Sequence, residues 1–181
     1  MSILLNKEHN SYADIFFKYL THLGGTVPMI IITGILLFIR FSYAIVFFIN
    51  TTIVFFLTIG LKMIFDTERP LLYFGENDEL HYVSGVTILK DFSFPSGHTS
   101  NAFCMYLTLA FFVSNHFVKG LLCVTAILVG ISRVYLLQHF LVDIFFGALI
   151  AIVVTHALMM FYEKKTMLFS HKKLQSSLLR S

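Results

Sequence analysis

The stretch from Phe41 to Leu61, FSYAIVFFINTTIVFFLTIGL, contains no charged side chain over a length that can span a membrane. A helix of about 20 mostly apolar residues is long enough to cross the hydrocarbon core of a bilayer. The whole chain has a matching composition: 57% of its 181 residues are hydrophobic, 13% are charged and the mean hydropathy is +0.80. A soluble domain carries roughly a quarter charged residues. The sequence therefore predicts an integral membrane protein.

Other stretches of the chain have similar character. Gly97–Asn115, Phe117–Leu136 and Phe140–Phe161 each have the length and apolarity of a span. Gly24–Ile39 is shorter, but Pro28 is tolerated in the first turn of a helix and a bilayer can accommodate a short span. We therefore predict an all-α, polytopic transmembrane helical bundle with five spans.

The N-terminal segment 1–23 is predicted to lie at the membrane surface. Apolar residues in Ser11–Leu23 recur at helical spacing, and charged or titratable residues fall between them. This pattern is typical of an interfacial amphipathic helix. The alternative is a sixth span made from Tyr12–Val27. In either case the chain has room for one membrane-embedded domain, residues 1–181.

Basic residues near the ends of the spans predict the orientation, because cytoplasmic loops carry an excess of Lys and Arg. With five spans, Arg40, Lys119 and the basic tail 163–181 fall on one side of the membrane. This side is predicted to be cytoplasmic. The acidic loop 66–96 then lies on the extracytoplasmic side.

Three short motifs contain the polar residues that could perform chemistry. They are Lys62-x6-Arg69-Pro70, Pro95-Ser96-Gly97-His98 and Ser132-Arg133-x5-His139-x3-Asp143. In the five-span topology, all three lie on the extracytoplasmic side, at or beside the ends of apolar segments. A charge in that position is costly unless it has a partner or a function. We therefore expect the three motifs to form one site at that face of the membrane.

The first motif supplies two permanent cations. Seven residues correspond to two helical turns, so Lys62 and Arg69 are expected to point the same way, about 10 Å apart. Pro70 disfavours helix at the residue before it and should end the element there. The alternative is that both cations simply extend to the lipid headgroups.

The second motif precedes an apolar helix. The amides of Gly97 and His98 would be first-turn donors without an intrahelical acceptor, and such a helix start favours anions. Gly97 would let an oxyanion approach the backbone, and Ser96 could cap the helix or bind a phosphate oxygen. His98 is placed to protonate a leaving group. The alternative is an ordinary capped helix start with His98 at the interface.

The third motif pairs a histidine with a carboxylate. His139 and Asp143 are four residues apart, which places them on one face of a helix. The carboxylate can hold one imidazole nitrogen and leave the other free as a nucleophile. Arg133 supplies a bidentate fork for a phosphate group. The alternative is a structural His–Asp pair that braces the helix.

No metal or other cofactor is expected, because no cluster of residues has the spacing of metal ligands. Cys104 and Cys123 both lie inside apolar runs and are interpreted as small core residues. The net charge of +3 is small, so the sequence does not indicate a nucleic-acid partner. It makes no prediction of the oligomeric state.

In this order and spacing, the three motifs resemble those of the type 2 phosphatidic acid phosphatase superfamily, which includes integral-membrane lipid phosphate phosphatases. The resemblance implies that His98 is the general acid, that His139 attacks phosphorus to form a phosphohistidine, and that Asp143 orients His139. It also implies a set of phosphate-binding residues: Lys62, Arg69, Ser96, Gly97 and Arg133.

The resemblance further implies metal-independent hydrolysis of a lipid phosphate monoester or diphosphate. The short chain resembles bacterial members, which act on undecaprenyl diphosphate, phosphatidylglycerophosphate, phosphatidic acid or lipid A phosphates. The expected partners are this lipid substrate and the surrounding membrane lipids. The expected location is the bacterial inner membrane, with the site on the periplasmic face. Two alternatives stay open, namely a lipid phosphotransferase and a non-catalytic lipid-binding or transport relative.

Overall fold

The computed structural model of the chain describes residues 2–75, 80–87, 89–164 and 172–179. Helices dominate these ranges, so the prediction of an all-α chain is confirmed. In chain order they are α1 (Ser2–Lys7), α2 (Ser11–Leu20), a 3-10 turn (Thr21–Gly24), α3 (Thr26–Ile39), α4 (Phe41–Phe65), α5 (Pro70–Phe74), α6 (Gly97–Phe112), α7 (His116–Tyr135), α8 (Leu141–Lys164) and α9 (Lys172–Gln175).

Within the described ranges, three helical stretches are long and apolar enough to cross a membrane. They are Phe41–Phe74, which includes α4 and α5, and the helices α7 and α8. Ser11–Gly24 and Thr26–Ile39 also pass this test as a pair, with a bend of 53° between them. Helix α6 has 16 residues and is about 24 Å long. The count of five spans treats α3 and α6 as separate spans, and it stays a prediction.

Helix α6 lies at the centre of the bundle and packs against α4, α7 and α8. Small buried residues such as Ser100, Ala102 and Cys104 let the neighbouring helices come close. A polar contact links three helices in this core, because Asn50 Nδ2 of α4 donates to Thr108 Oγ1 of α6 at 2.7 Å and to a threonine hydroxyl of α8 at 2.9 Å. The core thus fixes the relative positions of the helices that carry the motifs.

The end of the bundle opposite the motifs is held by contacts between the helix ends and the C-terminal segment. Tyr43 of α4 stacks on Phe112 of α6 with ring centroids 4.1 Å apart. The backbone amide of Phe41 donates to the Ser176 carbonyl at 3.0 Å. The start of α4, the end of α6 and the tail therefore share one end of the molecule, as the predicted topology requires. The side of the membrane on which they lie stays a prediction.

Some residues used in the orientation argument lie outside the described residues. They are Glu76, Asp78 and Glu79 of the acidic loop, and Lys165 and Arg180 of the basic tail.

Helix α2 lies over the motif-bearing end. Asp14 accepts a hydrogen bond from the Tyr135 hydroxyl at 2.6 Å, and its other oxygen lies 2.8 Å from His81 Nε2. Lys18 Nζ donates to the Ser84 carbonyl at 2.6 Å. The helix predicted in this segment is therefore present and is tied to α7 and to residues 80–87. Its interfacial position in a membrane stays a prediction.

The prediction that Lys62 and Arg69 share one helix is wrong. Helix α4 ends at Phe65, and Asp66 follows in the left-handed region with φ 36°. Arg69 is extended, with φ −89° and ψ 165°, and Pro70 begins α5 instead of ending a helix. The physical reason is that Pro70 disfavours helix at Arg69, as predicted, while its fixed φ and missing N–H suit the first position of the next helix.

Candidate active site

The structure brings the three motifs together at one end of the bundle. His139 lies in the short link between α7 and α8 and is only 2% exposed. Its Nε2 atom is 3.4 Å from Arg69 Nη1. The charges of Lys62, Arg69 and Arg133 all act on His139, and the same three charges act on His98. Residues from motifs far apart in sequence thus share one electrostatic environment.

The predicted pairing of His139 with Asp143 is present, although His139 precedes the first residue of α8. Its Nδ1 atom is 3.4 Å from Asp143 Oδ2. That oxygen also accepts hydrogen bonds from the Ser93 hydroxyl at 2.6 Å and from the Phe140 amide at 2.8 Å. The Ser93 hydroxyl lies 3.4 Å from the same imidazole nitrogen. Nδ1 therefore faces Asp143 and Ser93, and Nε2 faces Arg69.

The protonation state of His139 follows from its surroundings. Burial lowers the pKa of His139 well below its usual value of 6.5, and the charges of Arg133, Arg69 and Lys62 lower it further. Both causes disfavour the imidazolium. At neutral pH the imidazole is therefore neutral, which is the state that a nitrogen nucleophile requires.

Backbone carbonyls of the segment 91–93 hold the two cations of the first motif. Arg69 Nε donates to the Asp91 carbonyl at 2.8 Å. Lys62 Nζ donates to the Phe92 carbonyl at 2.5 Å and to the Ser93 carbonyl at 3.3 Å. This segment therefore places Lys62 and Arg69 at one site even though they do not share a helix.

Gln138 connects the two arginines. Its Oε1 atom is 3.4 Å from Arg69 Nη1 and 3.4 Å from Arg133 Nη2, and its backbone carbonyl accepts from Arg69 Nη1 at 2.9 Å. Arg133 Nη1 donates to Thr21 Oγ1 at 2.7 Å. Among the described residues, neither arginine forms a salt bridge with a carboxylate. Buried cations without a paired carboxylate favour an anionic ligand.

The second motif forms the start of α6. Ser96 is fully buried, and its hydroxyl oxygen accepts hydrogen bonds from the Thr99 amide at 3.4 Å and the Thr99 hydroxyl at 2.9 Å. It therefore caps the helix. A Cβ atom added to Gly97 would lie 3.8 Å from Lys62 Cε, which places the lysine beside this first turn. His98 follows in the same turn, and its imidazole makes no hydrogen bond to another described residue.

Helix α8 approaches this turn very closely. The Ser96 amide donates to the Asp143 carbonyl at 3.0 Å. A Cβ atom at Gly147 would lie only 2.8 Å from the Ser96 carbonyl oxygen. Glycine at this position thus permits the contact that brings Asp143 next to the second motif.

Two cavities adjoin the site and share Val142. The larger has a volume of about 670 Å³ and is an almost wholly apolar groove between α6, α7 and α8, which includes Phe103, Gly130 and Phe145. The smaller has a volume of about 480 Å³, and its lining includes the carboxylates of Asp143 and Glu68. It also includes four aromatic side chains, which are Phe65, Tyr73, Phe94 and Phe140.

Three residues that contact the predicted site residues were not predicted from the sequence. Ser93 lies two residues before Pro95, and no motif includes it. Gln138 is a polar residue in an otherwise apolar run next to His139, which could have indicated a role. Thr21 carried no signal at all, since it is 112 residues from Arg133. Within the described ranges, no three His, Cys, Asp or Glu residues are grouped so that they could hold a metal ion.

The chain is similar to known proteins in sequence and in structure. It is 45% identical over 67 residues to phosphatidylglycerophosphatase B of Bacillus subtilis, a match that covers 32% of this chain and spans about a third (33%) of that relative. The crystal structure of Aquifex aeolicus LpxE superposes with a TM-score of 0.78 at 26% identity, covering 87% of this chain and 92% of that one.

A second solved structure is the PAP2-type phosphatidylglycerolphosphate phosphatase from Bacillus subtilis. It superposes with a TM-score of 0.74 at 28% identity and covers 90% of this chain and 83% of that one. The family model described as the PAP2 superfamily matches residues 28–167, which is most of the chain and includes all three motifs. The chain therefore belongs to the PAP2 superfamily.

Proposed function

We propose that this integral membrane protein is a lipid phosphatase that hydrolyses a phosphate monoester or diphosphate through a phosphohistidine at His139. The observation that carries the proposal is the environment of that imidazole. Its Nδ1 atom is next to Asp143 and Ser93, its Nε2 atom lies 3.4 Å from Arg69 Nη1, and the charges of Arg133 and Lys62 also act on the ring. This is the arrangement of an oriented nitrogen nucleophile beside an anion-binding site.

In the first step, the phosphate oxygens bind Lys62, Arg69 and Arg133, with the amide of Gly97 and the hydroxyl of Ser96 as further donors. Nε2 of His139 attacks phosphorus, so a P–N bond forms and the P–O bond to the leaving group breaks. His98, whose imidazolium is favoured once the bound phosphate offsets the charges of the three cations, donates a proton to the leaving oxygen. Asp143 stabilises the positive charge that develops on the imidazole.

In the second step, water releases the phosphate. His98, which is now deprotonated, accepts a proton from the water as its oxygen attacks phosphorus. The P–N bond breaks, inorganic phosphate leaves and His139 returns to its neutral state. No metal ion takes part in the proposed reaction.

The large apolar groove supports a lipid substrate. It lies between α6, α7 and α8 and reaches Val142, one residue before Asp143. Apolar walls of this kind suit a hydrocarbon chain. The candidate substrates are undecaprenyl diphosphate, phosphatidylglycerophosphate, phosphatidic acid and lipid A phosphates. The proposed location of the site is the periplasmic face of a bacterial inner membrane.

The test is phosphate release from these four lipids by purified protein in detergent, with EDTA present. We expect release from at least one lipid and none with the His139→Ala variant, because that variant has no nucleophile. His156→Ala is the matched control, since His156 is an exposed histidine of α8 outside the site. Near-normal activity of His139→Ala would contradict the mechanism.

Arg133→Lys tests the phosphate-binding role separately. Lysine keeps the charge but loses the planar fork, so we expect a loss of activity of more than about tenfold. A phosphohistidine that accumulates without release of free phosphate would instead favour a phosphotransferase.

A further inference from the structure

Thr21 lies in the 3-10 turn between α2 and α3, before residue 28, where the match to the family model begins. Thr21 is only 6% exposed and Arg133 only 7%. The Thr21 hydroxyl accepts a 2.7 Å hydrogen bond from Arg133 Nη1. The N-terminal segment thus directly contacts a side chain that the proposed function assigns to phosphate binding.

This contact leaves one edge of the guanidinium available. Arg133 Nε is buried and has no hydrogen-bond partner in the part of the chain that the structure describes. Nη2 has only a long contact of 3.4 Å with Gln138 Oε1. Nε and Nη2 lie on the same edge of the guanidinium, and two parallel N–H groups match two oxygens of a phosphate.

The turn that carries Thr21 is itself fixed in place. A Cβ atom at Gly24 would lie 2.6 Å from the His98 carbonyl oxygen, so only glycine permits this close approach to α6. The Tyr106 hydroxyl of α6 donates to the Leu23 carbonyl at 3.0 Å. The position of the Thr21 hydroxyl is therefore set by contacts with the helix that begins with the second motif.

We propose that Thr21 is a positioning residue that orients Arg133 so that its Nε–Nη2 edge faces the substrate phosphate. This inference rests on the proposed function. A hydroxyl suits the task because it fixes Nη1 without neutralising the guanidinium. A carboxylate in the same place would form a salt bridge and compete with the phosphate.

The experiment measures the dissociation constant of inorganic phosphate for the purified full chain in detergent. Thr21→Val removes the acceptor at similar volume, and we expect phosphate to bind about tenfold more weakly. Thr21→Ser keeps the hydroxyl and should stay within about twofold of the wild type. The matched control is Thr33→Val, which removes a half-buried hydroxyl that donates to the Met29 carbonyl within α3.

A second comparison separates positioning from general damage. In the Arg133→Lys background, Thr21→Val should weaken phosphate binding no further, because the fork that it orients is gone. If Thr21→Val does not fold, Thr21→Ala takes its place with the same expected direction. The inference would be overturned if whichever of these variants folds bound phosphate as tightly as the wild type. It would also be overturned if Thr33→Val lost as much affinity for phosphate as that variant.

The same samples are assayed for release of phosphate from the lipid panel. If the wild type binds phosphate but releases none from any lipid, the proposed function fails, and the phosphate affinities still decide the role of Thr21. If the wild type does not bind phosphate, the inference about Thr21 is overturned as well, because Arg133 would then not be a phosphate ligand.

Discussion

At the scale of single residues, the orientation of the candidate catalytic groups depends on side chains that hydrogen-bond to them. Asp143 Oδ2 contacts His139, but the 3.4 Å separation exceeds the usual hydrogen-bond range of about 2.7–3.2 Å. The shortest contact of that oxygen is with the Ser93 hydroxyl, at 2.6 Å. Ser93 is fully buried. The direction of the carboxylate, and with it the orientation of the imidazole, therefore depends on a serine outside all three motifs.

We predict that Ser93→Ala lowers kcat about tenfold and changes KM little, because Ser93 orients the nucleophile and is not assigned a contact with phosphate. Steady-state kinetics on the best lipid substrate measures this split. The control is Ser42→Ala. Ser42 is also fully buried, but it lies near the start of α4, whereas the site adjoins the end of that helix. A rise in KM at unchanged kcat would contradict the role assigned to Ser93.

The buried neutral imidazole of His139 also makes stability depend on pH. Its pKa in the folded state is well below 6.5, whereas in the unfolded chain it is near 6.5. The unfolded state therefore binds a proton first as the pH falls, so the contribution of His139 to stability is present above pH 6.5 and is lost below it. For this one group, the loss approaches about 1.36 kcal/mol for each pH unit between 6.5 and the lower pKa of the folded state.

We expect the Tm of the wild type in detergent to fall between pH 7 and pH 5 by more than that of His139→Asn, which cannot titrate at this position. Thermal unfolding of both proteins at the two pH values measures the difference. An identical fall in both would show that the imidazole is not held neutral in the folded protein.

At the scale of the elements, close approach of helices at glycine positions determines the geometry of the site. Gly147 lets α8 come within contact of the Ser96 carbonyl, and Gly24 lets the 3-10 turn meet the carbonyl of His98. Both glycines bring a neighbouring segment against the start of α6. Neither was assigned a role from the sequence, because nothing in the sequence shows which backbone a glycine will meet.

We predict that Gly147→Ala destabilises the protein by about 1–3 kcal/mol, because the added methyl group would lie 2.8 Å from a carbonyl oxygen and α8 must shift. Activity should fall with it, since Asp143 is on the same helix. Thermal unfolding and lipid phosphatase assays measure both effects.

Gly60→Ala is the control, because no atom of the described residues lies within 4 Å of a Cβ atom at this position in α4. Alanine there should be neutral or stabilise the helix by about 0.5–1 kcal/mol. If Gly147→Ala were as well tolerated as Gly60→Ala, the close contact between α8 and Ser96 would not exist in solution.

At the scale of the whole molecule, the four long helices α4, α6, α7 and α8 alternate in direction, and every motif lies at the same end. The start of α4 and the end of α6 meet at the other end, where Tyr43 stacks on Phe112. Basic residues around that end predict that it is cytoplasmic. The site would then face the periplasm.

Cysteine labelling in intact cells tests this orientation. Glu68→Cys places a thiol at an exposed position near the site, and Ser114→Cys places one at an exposed position between α6 and α7. We expect a membrane-impermeant maleimide to label Glu68→Cys in intact cells and Ser114→Cys only after the cells are lysed. The unmodified chain, with its native Cys104 and Cys123, measures the background. The reverse pattern would show that the orientation is inverted.

The helical class and the three candidate motifs could be recognised without a structure, because apolar length and charge in apolar surroundings are local properties of the chain. The sequence also predicted the pairing of His139 with Asp143, since four residues are too short a separation for the fold to alter much. Helix α4 follows its predicted span to within a few residues, beginning at Phe41 and ending at Phe65.

The placement of the cations, in contrast, depends on how distant segments of the chain pack together. Lys62 and Arg69 reach the site through carbonyl groups of the segment 91–93, and not through a shared helix. Thr21 reaches Arg133 across 112 residues of chain. Such contacts arise from the packing of segments that are distant in sequence. The residues that make these contacts are therefore set by the positions of the helices. The contacts themselves leave no periodic pattern in the sequence.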